Sequence, residues 1–228
     1  MNYGLYIKKK LKEESDCKYK DFSAKLTPTN QKIIGARIPY VKSLAKETAK
    51  REDWLDCLKS IETTSLEETI IYGCIAGYAK TDDQTRFDIL REFIPKIDNW
   101  ASCDTVVSTL KFMKQNQTES WNFLRPYFES PKEFEVRFAF VSALCHFINK
   151  DYLKKIFDKI NTFSNNGYYA KMAVAWTIVT AMAKYKDETL DFLRQAALTP
   201  ELRKMTCRKI TDSFRIDNET KDIIKNLK

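Results

Sequence analysis

The stretch "EVRFAFVSALCHFI" (Glu135–Ile148) decides the fold, because it is apolar enough to be a buried strand or a buried helix. Its residues Phe138, Val141, Cys145 and Ile148 fall three and four apart, as one face of an α-helix requires, and no period-two alternation runs through it. Met172, Trp176, Val179 and Ala183 repeat the spacing further on, and helical periodicity extends over nearly the whole chain. Only 5 Gly and 6 Pro occur among 228 residues, with 43% hydrophobic and 13% aromatic residues. That composition argues against an all-β or disordered chain and suffices for a sizeable core. The expectation is an all-α protein with residues 1–228 in a single domain.

Breaks come at short intervals. They fall at "LTPTN", at Pro39, at "TTS" before Leu66, at "KTDD", "IDN", Pro131 and "SNNG", and at Pro200. About a dozen helices joined by short turns result, and they read as pairs. Landmarks on the second member of each pair (Glu68, Asp104, Arg137, Trp176, Arg208) recur at 36, 33, 39 and 32 residues. Such spacing predicts antiparallel helix pairs stacked as HEAT-like repeats into a curved α-solenoid. In such a stack, residues distant in sequence converge on the concave face. Gly73 and Gly77, four apart in "IIYGCIAGYAK", are read as points of close helix contact.

Charge and cysteine usage narrow the function. The net charge of +8 is uneven: residues 1–50 carry 12 Lys and Arg against 5 Asp and Glu, residues 199–228 carry 8 against 5, and the middle is slightly acidic. Basic ends suit a polyanion such as nucleic acid. Six cysteines stand singly, with no C-x-x-C pair and one histidine, His146. They are expected as buried free thiols in a reducing compartment, and His146 as a structural residue. Metal-site and Ser-His-Asp or Cys-His chemistry are thereby disfavoured. The longest nearly uncharged run, Met172–Ala183, falls short of the ~18–20 residues that span a bilayer, and the charged N-terminus is unlike a signal peptide. A cytoplasmic protein without membrane contact is expected.

The most informative local motif is "KIDNWASCDTV" (Lys96–Val106). Asp98 or Asn99 can cap the helix that follows, with Trp100 in its first turn and Asp104 four residues later on the same face. Taken alone, a Trp near a helix start reads as core, and an Asp in the second turn as an answer to the helix dipole.

Five segments occurring in order change that reading: "IIGARIPYVKSLAKE" (Ile33–Glu47), "EETIIYG" (Glu67–Gly73), "IDNWASCD" (Ile97–Asp104), "EVRFAFV" (Glu135–Val141) and "KMAVAWTI" (Lys171–Ile178). Together they resemble the HEAT-like DNA alkylation repair family, the AlkD-type alkylpurine DNA glycosylases, over almost the whole chain. The resemblance implies a concave basic solenoid around duplex DNA, preferably alkylated. It implies hydrolysis of the N-glycosidic bond of cationic N3- and N7-alkylated purines in base excision repair, without metal or other cofactor and without a deep base-flipping pocket. It places the catalytic carboxylate on Asp104, the sugar-contacting tryptophans on Trp100 and Trp176, and the backbone-anchoring arginine on Arg137. Arg37, Lys42, Lys46, Arg208, Lys209 and Arg215 are the candidate DNA-binding cations, and the protein is expected to act as a monomer.

The pattern departs from the family at Lys42, where arginine is frequent. Some relatives also keep the scaffold, lack an effective N-terminal lesion-recognition element and do not excise bases. Here the residues before Gly35 provide two short helices, "YIKKKLKEE" and "YKDFSAKL". Three readings stay open at this point: a glycosylase, a DNA-binding relative that does not excise, and a helical protein-binding scaffold.

Overall fold

The computed structural model describes residues 3–226, and among these the chain is all-α, with fifteen α-helices, two 3-10 segments and no strand. It divides into two compact units, Met1–Gln115 and Asn116–Lys228. The first unit holds α1 (Tyr3–Glu13), α2 (Cys17–Leu26), α3 (Ile38–Thr48), α4 (Trp54–Lys59), α5 (Leu66–Tyr78), α6 (Asp83–Phe93), α7 (Trp100–Val107) and α8 (Phe112–Gln115). The second holds α9 (Gln117–Leu124), α10 (Glu133–His146), α11 (Lys150–Asn161), α12 (Tyr168–Met182), α13 (Lys186–Gln195), α14 (Pro200–Thr211) and α15 (Asn218–Lys225).

The break signals act as helix starts. Ser65 accepts the Glu68 backbone N–H before α5, Asp82 accepts that of Thr85 before α6, and Thr199 accepts that of Leu202 before α14. Each satisfies a donor that the first turn leaves without an intrahelical partner. Pro39 and Pro200 sit in first turns, where a missing N–H does no harm.

Within each unit, alternate helices pack on one another. In the first, α3 lies against α5 and α5 against α7; in the second, α10 lies against α12 and α12 against α14. The helices α6, α13 and α15 each pack on the helix before them. A helix flanked on two sides has little free surface, so α5, between α3 and α7, is buried from Leu66 to Ala76, and α10, between α12 and the 3-10 segment Arg125–Glu129, from Val136 to Leu144. Gly77 makes the α5 contact possible: a Cβ there would stand 2.4 Å from Thr109 Oγ1 and 2.6 Å from the Thr109 carbonyl oxygen. Gly73 meets Val106 and Phe93 in the same way.

The cysteine expectation needs correction. Cys57, Cys74, Cys103 and Cys207 are buried, but Cys17 and Cys145 are exposed. Cys17 opens α2, a helix that buries none of its residues, and Cys145 lies on an open edge of α10. Among the described residues no helix is long and apolar enough to cross a membrane.

Candidate functional site

The start of α7 is built by its own sequence and then fastened by a distant one. Asn99, fully buried, accepts the Ser102 N–H at 2.9 Å and so caps the helix. The preceding Asp98 takes a different part: its carboxylate accepts the Thr29 hydroxyl and the Asn30 N–H, each at 2.8 Å. Gln31 adds a bond from its side-chain amide to the Lys96 carbonyl at 3.2 Å. The turn before α7 is thus joined to the segment that follows α2.

Trp100 completes the junction. Its indole N–H donates to the Leu26 carbonyl, on the last residue of α2, at 3.0 Å. A terminal carbonyl of this kind has no intrahelical donor, so the indole closes one end of α2. The other end is held by Asp16, which accepts the Tyr19 N–H at 3.0 Å and pairs with Arg37 at 2.9 Å. The Asp16 backbone N–H also donates to the Gly35 carbonyl at 3.1 Å. Gly35 has φ of 103°, and a Cβ there would stand 2.8 Å from Lys20 Cβ. Between these anchors α2 has no buried residue and leaves Phe22 and Leu26 exposed. Its position comes from its ends rather than from apolar burial.

Along α7, Ser102, Cys103, Val106 and Val107 face the core, while Trp100, Asp104 and Ser108 follow one another at four-residue intervals on the open edge. Trp100 and Asp104 are both half-buried. Lys42, reaching from α3, donates to Ser108 Oγ at 3.0 Å and puts an ammonium at the C-terminal end of α7, one turn beyond Asp104. A cation there also complements the helix dipole. The carboxylates of "EETIIYG" are structural. Glu67 accepts the Ile34 and Gly35 N–H groups, and Glu68 accepts the Thr64 and Ser65 hydroxyls with Lys8 Nζ at 3.9 Å.

In the second unit Arg137 is buried, 4% exposed, and donates from Nη1 to the Tyr169 carbonyl at 3.0 Å. Glu133, one turn earlier on α10, accepts the Tyr169 N–H. The two side chains together grip the first turn of α12 at Tyr169. Trp176 lies two turns along that helix. Although α12 is apolar nearly all round, its described open residues form one edge: Tyr168, Tyr169, Met172, Trp176 and Thr180. Trp176 is therefore half-buried on a free stripe, not packed in the core. Tyr168 and Met172 on that stripe share a groove of about 440 Å³ with Lys204, Met205, Arg208 and Lys209 of α14. Arg208 and Asp212 approach at 3.8 Å, both exposed, a contact that solvent makes weak. Arg215 is exposed just after α14, beside the fully exposed Phe214.

The structure thus brings Trp100, Asp104 and Lys42 to one edge of the first unit; in the second, Arg208 and Lys209 line the groove with Tyr168 and Met172, and Trp176 follows Met172 by one turn on the same stripe of α12. Arg37 is engaged in fixing α2, and Lys46 is exposed on α3. Among the described residues, no group of three or more His, Cys, Asp and Glu side chains is placed to hold a metal ion. Sequence reasoning missed Asp98 as a tether and Leu26 as the indole's acceptor. The only signal for the first was the doubled capping choice in "IDN"; a backbone carbonyl gives none.

A comparison with family models finds one, described as DNA alkylation repair enzyme, that matches residues 7–210. No curated protein and no solved structure matches the chain.

Proposed function

The chain belongs to the DNA alkylation repair enzyme family, and from that premise we propose that it is a DNA glycosylase hydrolysing the N-glycosidic bond of N3- and N7-alkylated purines in duplex DNA. The observation that carries this reading is the pairing of Trp100 and Asp104 one turn apart on the open edge of α7, with the indole held by Leu26.

Alkylation at N3 or N7 makes the purine cationic. When its bond to the sugar breaks, the electron pair passes to the base, which leaves neutral, and positive charge gathers on the deoxyribose. A carboxylate and an electron-rich indole face beside that sugar both stabilise the oxocarbenium-like state. Asp104 also accepts the proton of the water whose oxygen bonds to the anomeric carbon. Trp176 is read as the second indole for the sugar, and Arg137 as the residue that keeps the phosphate backbone in register, directly or through the first turn of α12 that it grips. Lys42, Lys46, Arg208, Lys209 and Arg215 supply phosphate contacts, which position DNA without reading its sequence. The lesion needs no enclosing pocket and the reaction no cofactor, and the protein acts as a monomer.

The test is release of 7-methylguanine or 3-methyladenine from methylated duplex DNA by the purified protein. Release that depends on Asp104 supports the reading. Salt-dependent duplex binding without release places the chain among non-excising relatives, and absence of duplex binding favours a protein-binding scaffold.

A further inference from the structure

A second basic groove lies in the first unit, where the C-terminal ends of α3 and α5 meet the start of α4. It encloses about 570 Å³ and is lined by Lys46, Lys50, Arg51, Trp54, Tyr78 and Lys80, with Glu52 as the one carboxylate. Its size lies within the range of small-ligand sites. The helix periodicity that explains most aromatic residues here does not explain this pair, because Trp54 and Tyr78 are both half-buried rather than core.

The groove's cations differ in their freedom. Arg51 is held by Asp53, with Nε to Oδ1 at 2.7 Å and Nη2 to Oδ2 at 2.8 Å, and its guanidinium lies 4.7 Å from the centre of the Tyr3 ring. Lys46, Lys50 and Lys80 are exposed and make no ion pair with any described residue. Three unpaired ammonium groups against one carboxylate give the groove a net positive field. The loop bearing Lys80 is fixed, because the Arg86 guanidinium donates to the carbonyls of Ala76, Ala79 and Thr81 at 3.1, 2.8 and 3.3 Å.

We propose that this groove binds an unpaired nucleotide of single-stranded DNA, its base stacked on Trp54 beside Tyr78 and its flanking phosphates on Lys46, Lys50 and Lys80. A half-open indole presents a face to which any base can stack, and ammonium groups around such a platform are what a sequence-tolerant single-strand site requires. The chemistry favours a strand over an isolated phosphate. Lys46 and Lys50 stand one helical turn, about 6 Å, apart on α3 and its C-terminal continuation, so they meet successive phosphates instead of converging on one. A phosphopeptide is less well suited, since its phosphate is best met by bidentate arginine and the groove's arginine is already paired. Lys42 precedes Lys46 by one further turn and reaches the C-terminal end of α7. The row of lysines therefore leads from the Asp104 helix to the groove, a path for a strand displaced next to damage.

The test uses the full chain and a fluorescent oligothymidylate of about eight nucleotides, within the ~4–16 that single-strand sites occupy. A blunt unmodified duplex and a base-free deoxyribose phosphate chain serve as comparisons. Trp54→Leu is expected to weaken oligothymidylate binding about tenfold or more while blunt-duplex binding changes little. Lys50→Gln combined with Lys80→Gln should make the salt slope of oligothymidylate binding shallower by about 1.4, from about 0.7 for each phosphate no longer neutralised. The lysine variant leaves the half-buried indole in place and decides the matter if Trp54→Leu folds poorly. The inference is overturned if the wild type does not bind oligothymidylate, if the variants bind it as the wild type does, if blunt duplex loses as much, or if the base-free chain binds equally well. Excision measured on the same variants keeps this result separate from the proposed glycosylase activity, which stands or falls on Asp104.

Discussion

The indole N–H of Trp100 and the main-chain carbonyl of Leu26, 74 residues apart in sequence, are joined at 3.0 Å. Through this bond the first residue of α7 and the last of α2 form one structural junction, so the N-terminal helices are fixed to the edge that carries Asp104. Trp100→Phe keeps an aromatic ring and removes the donor. Amide exchange across residues 17–26 should rise, by an opening free energy lowered by about 1 kcal/mol. Unchanged exchange in α2 would show that the bond does not hold it.

Asp104→Asn preserves shape and removes both the charge beside the developing cation and the capacity to take a proton from water. Excision of 7-methylguanine should fall by roughly 10² or more, the scale on which a general base or an electrostatic stabiliser acts. Affinity for unmodified duplex should hold or increase, because a carboxylate repels phosphate. Equal excision by wild type and variant would remove Asp104 from the mechanism.

The start of α2 carries a pH dependence. The Tyr19 N–H first, and then the Arg37 guanidinium, hold the Asp16 carboxyl below the ordinary carboxylate range. A depressed folded pKa contributes stability that is present above the unfolded value, ~3.9, and is lost as pH falls through the folded value. Amide exchange in α2, corrected for intrinsic rates, should therefore rise below about pH 4, before that of α5 or α12. Asp16→Asn should remove that pH dependence.

Close packing at Gly77 predicts a stability effect that reaches the site. Gly77→Ala places a methyl group against the Thr109 hydroxyl and carbonyl. Overpacking of this kind costs about 1–3 kcal/mol, which denaturant unfolding would register. Because the clash displaces Thr109, whose hydroxyl and N–H both donate to the Val106 carbonyl of α7, excision should fall even where the variant remains folded.

The cations of the second unit should act additively on DNA binding. Neutralising Arg208, Lys209 and Arg215 together should make the salt slope for duplex DNA shallower by about 0.9 for each phosphate no longer neutralised, alike for alkylated and unmodified DNA. A slope that does not move would take these residues off the interface.

Much of this was legible in the sequence. Helical periodicity and the capping residues Ser65, Asp82, Asn99 and Thr199 act over three or four neighbours, so the all-α class and the start of α7 followed without any tertiary information. The same local geometry put Trp100 and Asp104 on one face. What they would face was another matter. Trp176 sits in a helix apolar on nearly every side, and hydrophobicity cannot say which side lacks a neighbour; only the packing of α10 and α14 against α12 leaves its stripe open. The pattern "FEVRFAF" showed an arginine among apolar residues but not its bond to the Tyr169 carbonyl. Nor did the sequence show Asp98 holding Thr29, Arg37 holding Asp16, or Lys42 reaching Ser108. Each of these joins a side chain to a group that lies dozens of residues or a separate helix away, and the Arg137 bond ends on a backbone carbonyl of the kind that every residue shares. Local sequence sets which hydrogen-bonding groups a segment offers; which of them meet is decided when the helices close the distance between them.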